Sequence, residues 1–262
     1  MVDIALSLCY YIHNGSIDKY EINMRLIGFG DSIPAGLNKI GNDRITVDSF
    51  VKIIATVIGV EYINASHHGC GNMTICSQIH AFEFQKGDIA LISWSGVLRQ
   101  WKWNTTTNFF QVTPAPEQRT NLSPEEAVFM TEFAIRASRD FLRSNHIPFR
   151  MISGFQDYLC YKDLGFKIID DFPEWIEWGQ PNNSVMDIAQ QNWLKPNTYL
   201  NIHTNMHTNK LNPFFCHIHY EQNEFIECCK HPNAKGHKLI AKTLLPYIQN
   251  ITFTKKETRY ES

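Results

Sequence analysis

The stretch Asp88-Ile-Ala-Leu-Ile-Ser-Trp94 constrains the fold more than any other. Its centre, Ile89 to Ile92, is apolar without interruption. A strand with one wet face alternates apolar and polar residues with a period of two, so a strand apolar on both faces must be covered on both. Three other runs read as strands: Arg25 to Phe29, Val60 to Ala65 and Pro148 to Ser153. Between them the pattern changes to a helical period. The spacing predicts a helix over 46–58, with Asp48 as its N-cap, an apolar stripe of Phe50, Val51, Ile54, Val57 and Ile58, and Gly59 as its stop. A second helix is expected over 75–84. A third opens at Ser123 as N-cap, with Pro124 at the first helical position and Glu126 completing a capping box, and runs to about Ser144. His231-Pro232-Asn233 opens a last helix, which Pro246 is expected to end or kink near Leu245. Strands alternating with helices predict an α/β chain built as a three-layer α/β/α sandwich around a parallel sheet of about five strands.

The 262 residues suffice for one sizeable core and require no second. The expected division is an extension over 1–23, one domain over 24–250 and a tail over 251–262. Within the domain, 100–121 and 155–220 lack periodicity and read as excursions or a lid. A formal charge of -2 leaves no electrostatic footprint for nucleic acid. No apolar run approaches the roughly 20 residues of a membrane-spanning helix. Residues 4–11 are apolar, but no basic region precedes them and Ile12-His13-Asn14 is a poor cleavage site, so a cytoplasmic or other intracellular location is expected. Seven cysteines in no regular framework read as free thiols.

In open parallel sheets the functional residues gather at the carboxyl ends of the strands. Ser32, Gly69 and Ser95 each lie just past a predicted strand. In Gly28-Phe29-Gly30-Asp31-Ser32-Ile33-Pro34-Ala35-Gly36 a serine sits on a tight turn, where nearby amides favour developing negative charge. Far downstream, His231 stands ahead of the last helix, where an imidazole can be held toward a serine as general base. Each feature alone has a plainer explanation: a glycine-rich turn whose Asp-Ser caps the next helix, and a histidine that caps a helix or faces solvent. The pairing favours chemistry, and Ser32, Gly69, Ser95 and His231 are expected to converge at one end of the sheet.

These residues resemble the signature blocks of the SGNH (GDSL-type) hydrolases over roughly 25–245. Gly30-Asp31-Ser32 with Gly36 is similar to the first block, Asn64 with Gly69 to the second, and His231-Pro232 with Gly236-His237 to the last. The resemblance implies a flavodoxin-like sandwich and a serine esterase that removes acyl or acetyl groups, with a small-molecule or carbohydrate ester as its partner and no cofactor. It implies Ser32 as nucleophile, His231 as base, and an oxyanion hole from the amides of Ser32 and Gly69 assisted by Ser95. Asp31, Asn72, Trp94 and Arg99 are then adjacent to the reacting groups or in contact with substrate.

Two departures fall on functional positions. Ser95, in Ser93-Trp94-Ser95-Gly96, stands where the family has an oxyanion-donating asparagine, and Cys228 stands where it has the aspartate that orients the histidine. Glu224 or Glu227 is the nearest substitute carboxylate. The competing reading is therefore a catalytically weak or inactive protein on the same scaffold that binds a carbohydrate or acyl ligand.

Two further features carry less. His203, His207, Cys216, His217, His219, Cys228, Cys229 and His231 crowd one segment, but no Cys-x-x-Cys appears and the spacing matches no zinc module, so no metal is expected. Trp101 and Trp103 follow the third strand and are candidates either for stacking on a substrate or for packing.

Overall fold

The computed structural model describes residues 24–40, 43–67, 69–97, 101–104, 109–112, 123–154, 165–166, 172–177, 184–190 and 231–257, with short paired segments at 10–13, 16–19, 204–205, 210–211, 220–221 and 224–225. Its frame is β1 (Arg25–Gly30), α1 (Phe50–Ile58), β2 (Glu61–Asn64), α2 (Asn72–Ala81), β3 (Asp88–Trp94), α3 (Pro124–Ser144), β4 (Phe149–Ser153), α4 (Val185–Gln190) and α5 (Ala234–Glu257). The four strands form one parallel sheet in the order β2-β1-β3-β4. This is the flavodoxin-like order, in which the chain reverses direction of travel between β1 and β3 and leaves a crevice beyond their carboxyl ends.

The continuous apolar runs have the predicted cause. All seven residues of β3 are buried. Successive side chains feed two separate cores: Ile27, Phe29, Ala90, Ile92 and Met151 pack with residues of α2 and α3. Leu26, Ile89, Leu91 and Ile152 pack instead with residues of α1, α4 and α5. A period of two thus serves two apolar faces at once. At the amino end of the sheet, Arg25 makes bonds of 2.7 and 2.6 Å to the two oxygens of Asp88, and the Gln85 amide donates to the same carboxylate.

The capping box at Ser123 and Glu126 forms as the sequence predicts, and α3 ends at Ser144. Four details differ. Among the described residues the sheet has four strands. Beside β4, where a fifth would lie, two single parallel bridges, Met151 with Trp175 and Ser153 with Ser184, take its place. The N-cap of α1 is Ser49, whose hydroxyl accepts from the Lys52 amide, while Asp48 pairs with the Lys52 ammonium. The second helix spans Asn72–Ala81, earlier than the expected 75–84. Finally, α5 runs through Pro246 to Glu257. Leu244, Ile248 and Ile251 on either side of the proline are buried in one core, and that burial holds the helix across the missing N–H. Two short antiparallel pairs join Leu37–Ile40 with Asp43–Thr46 and Trp101–Asn104 with Phe109–Val112.

Candidate active site

The Ser32 turn starts with backbone geometry. Gly30 has φ +148°, and a Cβ there would lie 2.5 Å from the Pro34 ring and 2.6 Å from the Ser93 carbonyl oxygen. Only glycine fits this close approach of the turn to β3. Beyond it the chain closes a helical turn: the Ile33 amide donates to Asp31 Oδ1 at 3.0 Å, and the amides of Ala35 and Gly36 donate to the carbonyls of Asp31 and Ile33. Ser32 sits on that turn at the β1 end of the crevice.

His231 arrives from the opposite end of the chain. Asn233 caps α5, its side-chain oxygen accepting from the amides of Lys235 and Gly236, and so fixes the residues just ahead of the helix. The Ser32 hydroxyl lies 2.5 Å from His231 Nε2, across 199 positions of sequence. Ser32 is 1% and His231 9% exposed.

Six residues on, His237 has a different environment. Its ring stacks on Phe50, and its Nδ1 accepts from the Phe50 amide at 3.3 Å. This satisfies one of the donors left open at the start of α1 and docks α5 on α1. Burial, and then the positive charge that His231 can carry, lower the His237 pKa to about 4. His237 therefore stays neutral and accepting at ordinary pH.

The loop after β2 closes over the other side. Its Ala65 and His67 amides donate to the carbonyls of Gly28 and Gly30, the Ser66 hydroxyl also binds Gly28, and Asn64 Oδ1 accepts from the Ser66 amide. Gly69 has φ +75°, a left-handed conformation that favours glycine. Two residues later Gly71 is the N-cap of α2, so this loop feeds the positive end of a helix dipole.

After β3, Ser95 is wholly buried. Its amide donates to Asn72 Oδ1 at 2.8 Å, and its hydroxyl donates to Asp31 Oδ2 at 2.9 Å. Asn72, the first residue of α2, passes the connection on: its Nδ2 donates to Thr131 Oγ1 on α3 at 3.1 Å.

Two of the expected site residues stand in surroundings the sequence does not show. Ser95, expected as an oxyanion donor, has its hydroxyl on Asp31 Oδ2. Trp94 was expected near a substrate, but its side chain is fully buried in the core under α2 and α3, and it has no surface for a ligand to stack on. Asp31 and Asn72 join the hydrogen-bonded line beside Ser32. Arg99 lies outside the described residues, as do Glu227, Cys228 and the other histidines and cysteines between 203 and 229. Glu224 falls in the short paired segment Glu224–Phe225. Trp101 and Trp103 lie in the paired strand Trp101–Asn104. Among the described residues, no group of three His, Cys, Asp or Glu could hold a metal ion, and no helix is long and apolar enough to cross a membrane. Thr131 was not anticipated, although a signal exists: it lies on the buried stripe of α3 with Ala127, Ala134 and Ile135. A polar side chain on such a stripe needs a partner.

No protein-family model and no curated protein matches the chain. Solved structures of related shape include a protein described as lipolytic and of the G-D-S-L family from Desulfitobacterium hafniense DCB-2. It is 12% identical, with a TM-score of 0.48 over 86% of this chain and 99% of its own. Another is a carbohydrate esterase family 2 enzyme with its carbohydrate-binding domain from Corynascus thermopiles. It is 13% identical, with a TM-score of 0.49 over 91% of this chain and 70% of its own.

Proposed function

We propose that the chain is a serine ester hydrolase of the SGNH (GDSL-type) class, acting on acyl or acetyl esters of small molecules or carbohydrates. The observation that carries this reading is the bond between the Ser32 hydroxyl and His231 Nε2 at the carboxyl end of a parallel sheet. His231 takes the Ser32 proton as the oxygen attacks the ester carbonyl, then returns it to the departing alcohol. His231 then deprotonates a water that attacks the acyl-serine, and returns that proton to the departing Ser32 oxygen as the acid leaves. The amides of Ser32 and Gly69, at the positive end of α2, are the proposed donors to the tetrahedral oxygen. The Ser32–His231 pair does this with no cofactor.

The test uses p-nitrophenyl acetate, an acetylated sugar and a fluorophosphonate probe on the full chain. Turnover and covalent labelling that both vanish in Ser32→Ala support the proposal. Absence of both in the parent protein overturns it and leaves the ligand-binding reading, which the cysteine at position 228 already recommends.

A further inference from the structure

We infer that Ser95, Asn72 and Thr131 are positioning residues for the Ser32 turn, and that Ser95 supplies no hydrogen bond to the oxyanion. The inference rests on the ester hydrolase reading above and concerns how that site is held.

Ser95 has two donors. Its N–H is given to Asn72 Oδ1 and its O–H to Asp31 Oδ2. Ser95 and Asp31 are both 0% exposed. Turning the hydroxyl toward substrate would take a bond from a carboxylate oxygen where water cannot replace it, and a hydrogen bond to a charged group is among the costlier ones to lose. The hydroxyl therefore stays on Asp31.

Asp31 reaches forward. Its other oxygen holds the Ile33 amide, so one carboxylate ties the end of β3 to the residue after the nucleophile. Asn72 reaches back. Its amide group binds Ser95 with the oxygen and Thr131 with the nitrogen. A line of hydrogen bonds thus runs from α3, through the first turn of α2 and the end of β3, to both neighbours of Ser32 in sequence. Gly69, with its proposed oxyanion amide, lies just ahead of α2. The same line therefore fixes how far Ser32 stands from that amide. Misplacements of about 1 Å at such a distance cost on the order of 10²-fold in rate.

The experiment is a double-mutant cycle in the full chain with Ser95→Ala, Asp31→Asn and their combination, together with Thr131→Val. The kcat and KM for p-nitrophenyl acetate are taken per fluorophosphonate-titratable site, so that unfolded molecules do not count. Ser95→Ala is expected to lower kcat about 10- to 100-fold and to move KM less than about threefold, and to add little once Asp31 is Asn. Ser95→Thr, which keeps the hydroxyl, is expected to restore most of the rate. Thr131→Val, remote from any oxyanion, is expected to lower kcat about 3- to 10-fold at constant KM. If the combined variant does not fold, the Thr131→Val and Ser95→Thr results decide. Multiplicative losses at Ser95 and Asp31 with Thr131→Val unchanged would overturn the inference and return Ser95 to the oxyanion hole. Coupling between Ser95 and Asp31 with Thr131→Val unchanged would overturn the part that reaches α3. A parent protein without Ser32-dependent turnover or labelling would instead remove the hydrolase reading, and this inference with it.

Discussion

The two ends of the sheet join the same pair of strands by different means. At the amino end, β1 and β3 are stapled by Arg25 and Asp88, two charges in fork geometry. At the carboxyl end, the segments that follow the same strands are joined by the Ser95 hydroxyl on Asp31, and that connection continues through Asn72 to Thr131. The first arrangement is local and strong. The second is distributed over two helices and two loops, and it ends beside Ser32. The difference teaches where stability and chemistry separate: an ion pair closes one end, and a chain of single hydrogen bonds sets the geometry of the other.

The largest expected effect tests the carboxyl end. Ser32→Ala should lower kcat by about 10⁴ or more, in line with loss of a nucleophile that works as a unit with its base. Its melting temperature should stay close to that of the parent. The amino end should respond in the opposite manner. Arg25→Met leaves Asp88 buried without its fork and should cost about 3 kcal/mol in urea unfolding, with kcat per titratable site unchanged. If Arg25→Met altered kcat, the two ends would not be separable.

The third prediction concerns pH. His237 in the folded protein has a pKa of about 4, against 6.5 as its ordinary value. Between those values the unfolded chain binds a proton that the folded chain does not. Its contribution is fully present above about pH 6.5 and is lost as pH falls toward about 4, at up to about 1.4 kcal/mol per pH unit. His237→Gln keeps an acceptor for the Phe50 amide and does not titrate, so its unfolding free energy should fall less between pH 7 and 4.5 than that of the parent. Equal losses would show that this histidine does not carry the slope. The smallest expected change is at position 228: Cys228→Asp offers His231 the carboxylate of a triad, and a several-fold rise in kcat with KM nearly unchanged would show that the parent's own acceptor does this work less well. No gain in a folded variant would mean that His231 already has an orienting acceptor.

Much of the frame was legible because local and tertiary demands agree. Ile89 to Ile92 can only be a doubly covered strand, and Ser123, Pro124 and Glu126 specify a helix start without help from the rest of the chain. Ser32 and His231 were legible as a pair because each falls at a punctuated boundary, a glycine turn or a helix start. The hidden features depend on partners distant in sequence or on burial. Asp48 and Ser49 are both competent caps, and the choice between them comes from Asp48 pairing with the Lys52 ammonium while Ser49 accepts the Lys52 amide. Trp94 is placed beside the reacting groups by its position at the end of a strand, yet the core under α2 and α3 takes its whole surface. Pro246 reads as a stop until the burial around it is known. The fifth strand position is held by Trp175 and Ser184 as isolated bridges, which leave no period to read. The partner of the Ser95 hydroxyl was not legible because a hydroxyl's direction is set by its nearest acceptor, here 64 positions away.

The place of α5 has one more consequence, for the order in which competence appears. Ile240, Ala241, Leu244, Ile248 and Ile251 of α5 complete one of the two cores, and the residue that pairs with Ser32 lies just ahead of them. The serine is translated 199 residues ahead of its partner. A nascent or truncated chain lacking α5 leaves that core open, so the bond between Ser32 and His231 forms only with the α5 side of the sheet covered. Under the proposed function, packing of α5 is also what supplies the general base, and chains in which α5 is still undocked are spared an active nucleophile while their apolar surfaces are open.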